Sequence, residues 1–337
     1  MANVIIGIHG LGNKPTKKLL EHWWKLAMIE GLRANNYKTT LPKFELVYWA
    51  DILHVQPLIY TDDESNPYFL KEKYVKASPN FVAESHETRI KIVDYLGRQL
   101  NRIFLNNDYS LNHSFITDTI MNKYFQDLEI YYSESYTGNN NITFKANDLI
   151  KARLHKVLEK YKDDEIMLIS HSMGSIIAFD VLSFESKKIP VKTFVTMGSP
   201  LGLPVVISKI AAEQKRANNN GQNHMITPPS VIGNWYNFSD ITDKVAFNYQ
   251  LGDDFSANSL GVKPIDFLVV NNYENNGERN PHKSYGYLRT PEFSRILNEF
   301  IQTEQLTIPE KIVRKTKQIY QRTKAELSLR RGKLSVN

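Results

Sequence analysis

The sequence predicts an α/β protein whose mainly parallel sheet has about six strands and carries helices on both faces. Three observations predict it. Short apolar runs rich in β-branched residues alternate with amphipathic stretches of helical spacing, the alternation that builds a parallel sheet with crossover helices. Small-residue turns follow several of the runs. The residues able to do chemistry then fall just after strands, at the sheet edge where such folds bind ligands.

Val4 to His9 reads as the first strand, and Gly10-Leu11-Gly12-Asn13 as the turn after it. Thr16 to Asn35 is helical by the spacing of Leu19, Leu20, Trp23, Trp24, Leu26, Ala27 and Leu32. Phe44 to Trp49 is a second strand. Asn147 to Tyr161 has Leu149, Ile150, Leu154, Val157 and Leu158 on one helical face. The strand around Met167 follows, then the turn at Ser172, and a helix over Ile176 to Leu182. Val191 to Met197 is a strand that ends in Gly198-Ser199-Pro200, and Val205 to Ala217 reads as a helix. Asn234 to Phe238 and Phe267 to Asn271 are the last strands, and Pro291 to Ile301 is the closing helix.

Ala50 to Thr143 breaks the alternation. It holds nine tyrosines and one helical stretch, His86 to Asn106. It is too long for a loop, so residues 51–143 are expected to form a cap or lid inserted into a core made of residues 1–50 and 144–302. The expected pocket wall is tyrosine-rich.

The formal charge of +6 belongs to residues 303–337, where nine basic side chains meet three acidic ones; the rest of the chain is formally neutral. The pI near 9.1 therefore predicts no specific nucleic-acid binding. The tail, probed by Ile308, Ile312, Val313, Ile319, Tyr320 and Leu327 at partly helical spacing, fits a solvated or frayed helix most simply. A weak contact with a membrane surface or another anionic partner is the sharper alternative. There is no cysteine, which excludes disulfides, thiolate metal sites and a cysteine nucleophile. No signal-peptide pattern opens the sequence and no apolar run is long enough to span a bilayer, so a cytoplasmic location is expected. No metal-ligand spacing or phosphate-cradling loop is present, and no cofactor is expected.

The chemistry gathers on three side chains. Ser172 stands where an apolar strand meets a helix, in Ser170-His171-Ser172-Met173-Gly174. Its neighbours are small enough for a sharp turn that presents the hydroxyl above the sheet. A hydroxyl needs an imidazole to take its proton, and the imidazole needs a carboxylate to fix its tautomer. Of the nine histidines, His282 alone follows both the last strand and an acid. The acid is Asp243, with Asp240 as the alternative; Asp266 opens a strand at the wrong end of the sheet. His9 and His171 read as residues that hold their turns, and Gly198 to Gly202 as a segment that shapes the pocket.

On these residues the chain resembles the α/β-hydrolase superfamily, and within it the lipase/esterase branch. The resemblance runs from Val4 to about Ile301, the insertion excepted. His9-Gly10 matches the family's His-Gly motif, Ser170 to Gly174 its nucleophile elbow with Ser170 in place of the first glycine, and Asp243-Lys244-Val245 its Asp-x-Val pattern. The order Ser, Asp, His is kept. Because the first strand already carries His-Gly, the two leading strands of the full family fold are missing and a six-stranded parallel sheet remains. The resemblance implies a serine hydrolase cleaving carboxylic esters of small-molecule or lipid-like substrates. It implies backbone N–H groups of Leu11 and Met173 as oxyanion donors, with Gly10 in the same turn. The triad leaves open acyl transfer or thioester cleavage on the same site, and a non-catalytic module that binds an anionic partner through the tail is the reading of another class.

Overall fold

The computed structural model describes residues 2–79, 81, 135–137, 143–218, 225–246 and 250–305. The helical stretch expected at His86 to Asn106 and the basic tail from residue 306 onward lie outside the described residues.

The central sheet is made of β1 (Asn3–Ile8), β2 (Lys43–Val47), β5 (Glu165–His171), β6 (Val191–Met197), β7 (Val231–Asp240) and β8 (Pro264–Val269). A hairpin of β3 (Ser135–Thr137) and β4 (Thr143–Lys145) precedes β5, and a short ribbon of β9 (Glu274–Asn275) and β10 (Glu278–Arg279) follows β8. Among the described residues the α-helices are α1 (Lys17–Ala34), α2 (Ala50–Leu53), α3 (Ala146–Lys160), α4 (Met173–Asp180), α5 (Pro204–Asn218), α6 (Leu251–Asp254), α7 (Ser284–Tyr287) and α8 (Pro291–Gln305). The six core strands lie in the order β2-β1-β5-β6-β7-β8, and every neighbouring pair is parallel. That is the six-stranded parallel sheet with helices that the sequence predicts.

Alternation along the strands explains the layers, because successive side chains point to opposite faces. Val4, Ile6 and Ile8 of β1 pack with Ile166 and Leu168 of β5 against α3, α4 and α5. Ile5, Met167, Ile169, Val195 and Met197 face the other way, onto Leu20, Trp24 and Met28 of α1 and Phe293, Leu297 and Phe300 of α8. A strand buried on both faces must be apolar at nearly every position, as β1 and β5 are.

Several boundaries differ from the sequence expectation. β7 begins three residues earlier, at Val231, and takes in Gly233. A side chain at Gly233 would lie 2.1 Å from the Lys192 carbonyl oxygen, so this glycine allows a close approach where the β6–β7 register shifts. β8 begins at Pro264, a position that tolerates proline because the first residue of a strand need not donate to the ladder. α4 starts directly at Met173, and its end widens into a π-helical turn over Val181–Glu185.

From Leu58 to Ala77 the described start of the insertion is tied to the core. Leu58 N–H donates to the Lys14 carbonyl at 2.9 Å, and the Tyr273 hydroxyl to the Lys73 carbonyl at 2.6 Å. Glu30 of α1 accepts the Tyr74 hydroxyl at 2.7 Å and the Ala77 N–H at 2.7 Å. Arg289, which is buried, pairs with Glu30 at 3.1 Å and donates to the Val75 carbonyl at 2.7 Å. Among the described residues no helix is long and apolar enough to cross a membrane.

Candidate active site

Ser172 joins β5 to α4 with φ 53° and ψ −130°, in backbone space that side-chain-bearing residues avoid. Such a conformation costs on the order of 1–3 kcal/mol and persists only where the surroundings enforce it. They do so here through two glycines. A side-chain carbon on Gly174 would sit 2.7 Å from the carbonyl oxygens of Ile8 and His9, and one on Gly10 would sit 2.7 Å from Cβ of Ser172. The elbow and the turn after β1 are therefore in backbone contact. Ser170, which stands where the family motif has glycine, is buried and its hydroxyl donates to the Val195 carbonyl at 2.9 Å. A serine is tolerated because neighbouring β6 supplies an acceptor for its hydroxyl.

Ser172 Oγ lies 3.0 Å from His282 Nε2, and His282 Nδ1 lies 2.9 and 3.0 Å from the two carboxylate oxygens of Asp243. A carboxylate only accepts, so Nδ1 carries the proton and Nε2 is left to accept from the serine. Asp243 is buried, and it also accepts from the Tyr287 hydroxyl at 2.7 Å and the Val245 N–H at 2.9 Å. Asp240 does not face His282. Its oxygens accept from Thr242 N–H at 2.7 Å, Asn271 N–H at 2.7 Å and Arg279 at 2.9 Å. Asp266 caps α6, accepting from Leu251 and Gly252 N–H at 3.0 and 2.8 Å.

His9 holds the turn that follows β1. Its Nε2 accepts the Trp49 N–H at 3.0 Å, so Nδ1 carries the hydrogen and donates to the Gly10 carbonyl at 2.8 Å. Burial keeps the ring neutral, pushing its pKa down to about 3, and it stacks on Trp49 with centroids 4.9 Å apart. In a trans peptide the carbonyl and the following N–H point in opposite directions. Pinning the Gly10 carbonyl to His9 thus turns the Leu11 N–H away from that ring. Met173 N–H belongs to the first turn of α4, where the first amides have no acceptor within the helix.

Ser172 opens into a cavity of about 760 Å³ whose apolar lining includes Leu53, Leu58, Phe69, Leu70, Met173 and Ile176. The tyrosine-rich wall expected from the sequence is not what the described part of the insertion supplies. Tyr60, Tyr68 and Tyr74 do not line the cavity, and its wall there is aliphatic apart from Phe69 and His54, with a charged rim. Tyr74 instead packs edge-on against Tyr285 at 5.8 Å.

Four further residues shape the site, and two of them, Tyr287 and Lys14, carried no sequence signal. Gly198 has φ +53°, and a side-chain carbon there would lie 2.8 Å from Asp243 Oδ2 and 3.0 Å from His282 Nδ1. Tyr287 bridges the acid turn, since its oxygen accepts the Asp240 N–H at 3.0 Å while its hydroxyl donates to Asp243. His171, buried and held neutral mainly by desolvation, donates from Nε2 to the His282 carbonyl at 2.7 Å. Lys14, on the cavity rim, donates to the Leu11 and Gly12 carbonyls, the latter at 3.1 Å. Only Gly198 lay in a stretch the sequence marked as lining the pocket. Among the described residues no cluster of three or more His, Asp or Glu side chains is placed to hold a metal ion.

Residues 92–235 match the family model described as a PGAP1-like alpha/beta domain. The matched span holds the elbow, β5, β6 and the start of β7, and ends before Asp243 and His282. No curated protein matches the chain.

Proposed function

We propose that this chain, whose residues 92–235 match a PGAP1-like alpha/beta domain, is a serine hydrolase of the α/β-hydrolase superfamily cleaving carboxylic esters, with Ser172 as nucleophile, His282 as general base and then acid, and Asp243 as the orienting carboxylate. One observation carries this reading. An unbroken line of hydrogen-bond distances runs from Ser172 Oγ through both nitrogens of His282 to Asp243, and it begins on a strained serine at the floor of a cavity.

Ser172 Oγ attacks the ester carbonyl as its proton passes to His282 Nε2. The carbonyl oxygen takes up negative charge, which the N–H groups of Leu11 and Met173 stabilise; losing one such donor elsewhere costs about 2.7–4 kcal/mol of barrier. Collapse of the adduct breaks the bond to the alcohol oxygen, which takes the proton from His282. Water then attacks the acyl-enzyme, again giving its proton to His282, and Ser172 leaves with that proton as the acid is released. Asp243 stays ionised throughout and stabilises the imidazolium. The aliphatic walls and the cavity size suit an acyl chain.

A series of p-nitrophenyl esters of rising chain length tests the reading. The intact protein is expected to hydrolyse them with a chain-length optimum, and Ser172→Ala to lose at least about 10³-fold in kcat. Equal rates in the variant would defeat it. Adding an alcohol and assaying for its ester separates hydrolysis from acyl transfer.

A further inference from the structure

The rim of the Ser172 cavity carries more positive charge than it neutralises. Lys14, Glu72, Asn280 and Lys283 all line the cavity that Ser172 lines. Glu72 is occupied: it accepts from Lys283 Nζ at 2.7 Å and from Asn280 Nδ2 at 2.5 Å. Lys283 is further cradled by the rings of Tyr285 at 5.5 Å and Tyr273 at 6.0 Å. Lys14 makes its hydrogen bonds to two backbone carbonyls, Leu11 and Gly12, and among the described residues no carboxylate is within ion-pair distance of it. Two ammonium groups thus share one carboxylate beside an apolar cavity. Loss of water and the charge of Lys283 together pull the Lys14 pKa down to about 7, and the opposing pull of the shared Glu72 does not offset them. A buried or half-buried cation in this position is stabilised by an anion that arrives with a ligand.

The position of Lys14 gives that anion an address. Its ammonium sits on the carbonyl of Leu11, whose N–H is the oxyanion donor proposed above. We propose that Lys14 and Lys283 form an anion subsite at the mouth of the cavity, which takes the phosphate or carboxylate of a substrate whose acyl ester reaches Ser172. The substrate class is then an acyl ester with an anionic headgroup, its chain against Leu53, Leu58, Phe69 and Leu70. The placement of the ester rests on the hydrolase reading; the anion subsite itself does not require Ser172 to react.

Calorimetric titration of the full chain carrying Ser172→Ala, which cannot turn over, tests the subsite with three probes: sn-glycerol 3-phosphate, glutarate and glycerol. At least one anion is expected to bind tenfold or more tightly than glycerol at pH 6.5, and the tighter of the two identifies phosphate or carboxylate as the source. Adding Lys14→Met should weaken that anion at least tenfold. Glu72→Gln, which removes the competing carboxylate, should tighten it. Anions binding no better than glycerol, unchanged affinity in Lys14→Met, or weaker binding in Glu72→Gln would each overturn the proposal. Failure of Ser172 to react in the parent protein would instead defeat the hydrolase reading and leave these titrations to stand.

Discussion

Asp240 ends β7 and Asp243 lies three residues further on, in the turn that leaves the strand. Both are buried carboxylates at the same sheet edge. Asp240 is surrounded by groups that fix the chain: Thr242, the Asn271 backbone and Arg279, whose ion pair at 2.9 Å ties the β9–β10 ribbon to the end of β7. Asp243 shares its oxygens between Tyr287, the Val245 backbone and the imidazole of His282. One carboxylate holds the segment that delivers His282, and the other meets its ring. The role of an acid here is set by what faces it, and two candidates of the same residue type in one short stretch are separated only by tertiary contacts.

Substitutions should break that pair apart. The largest effect is expected of Asp243→Asn, which keeps the shape but offers His282 the wrong hydrogen-bonding partner; kcat on an ester should fall by about 10⁴-fold. Asp240→Asn should act mainly on the fold. Leaving Arg279 and the Asn271 N–H without their carboxylate should cost about 2–3 kcal/mol in denaturant unfolding, discounted for the partial exposure of Arg279, with less than about tenfold change in kcat. If the two effects were exchanged, the assignment of the acids would be reversed.

Gly198→Ala sharpens the comparison from the neighbouring strand. It places a methyl against Asp243 and His282 at a positive φ, so it should lower kcat by about 10²-fold through misplacement of the pair and leave Asp240 untouched. Wild-type kinetics in this variant would contradict the close packing described.

The smallest effect is an acid-side loss of stability from the two histidines behind the site. His9 has its pKa depressed to about 3 and His171 is also depressed, both chiefly by burial. Unfolded histidine titrates near 6.5, so between that pH and the folded value the unfolded chain binds the extra proton. Stability contributed by each neutral ring is complete above about 6.5 and falls as pH drops, by at most about 1.4 kcal/mol per pH unit for each. His9→Gln should flatten the fall in denaturant midpoint between pH 6.5 and 5; an unchanged slope would count against a buried neutral His9.

Much of this was legible because strands buried on both faces, such as β1 and β5, announce themselves as unbroken apolar runs. The turns that end them need small residues for steric reasons. Gly10, Ser172 and Gly174 belong to that class, and their backbone contact is the reason the pattern is readable. The tertiary partners were not. Tyr287 and Glu72 act through neighbours distant in sequence, Lys14 through the fold of its own turn, and nothing in their sequence surroundings sets them apart. The expected start of β7 at Asn234 falls short of Val231; glycine usually weakens a strand, whereas Gly233 inside β7 admits the Lys192 carbonyl. Of the insertion's tyrosines, the described Tyr60, Tyr68 and Tyr74 do not line the cavity, because composition gives a residue type but not its direction: Tyr74 turns to Glu30 and Tyr285.

The central claim is that Ser172 is a nucleophile activated by His282. Treatment with a fluorophosphonate probe followed by peptide mass spectrometry tests it most directly. The account predicts a single adduct, on Ser172, that is absent in Ser172→Ala and forms at least about 10²-fold more slowly in His282→Ala. An unlabelled Ser172, or equal labelling of the Ser172→Ala protein, would contradict it.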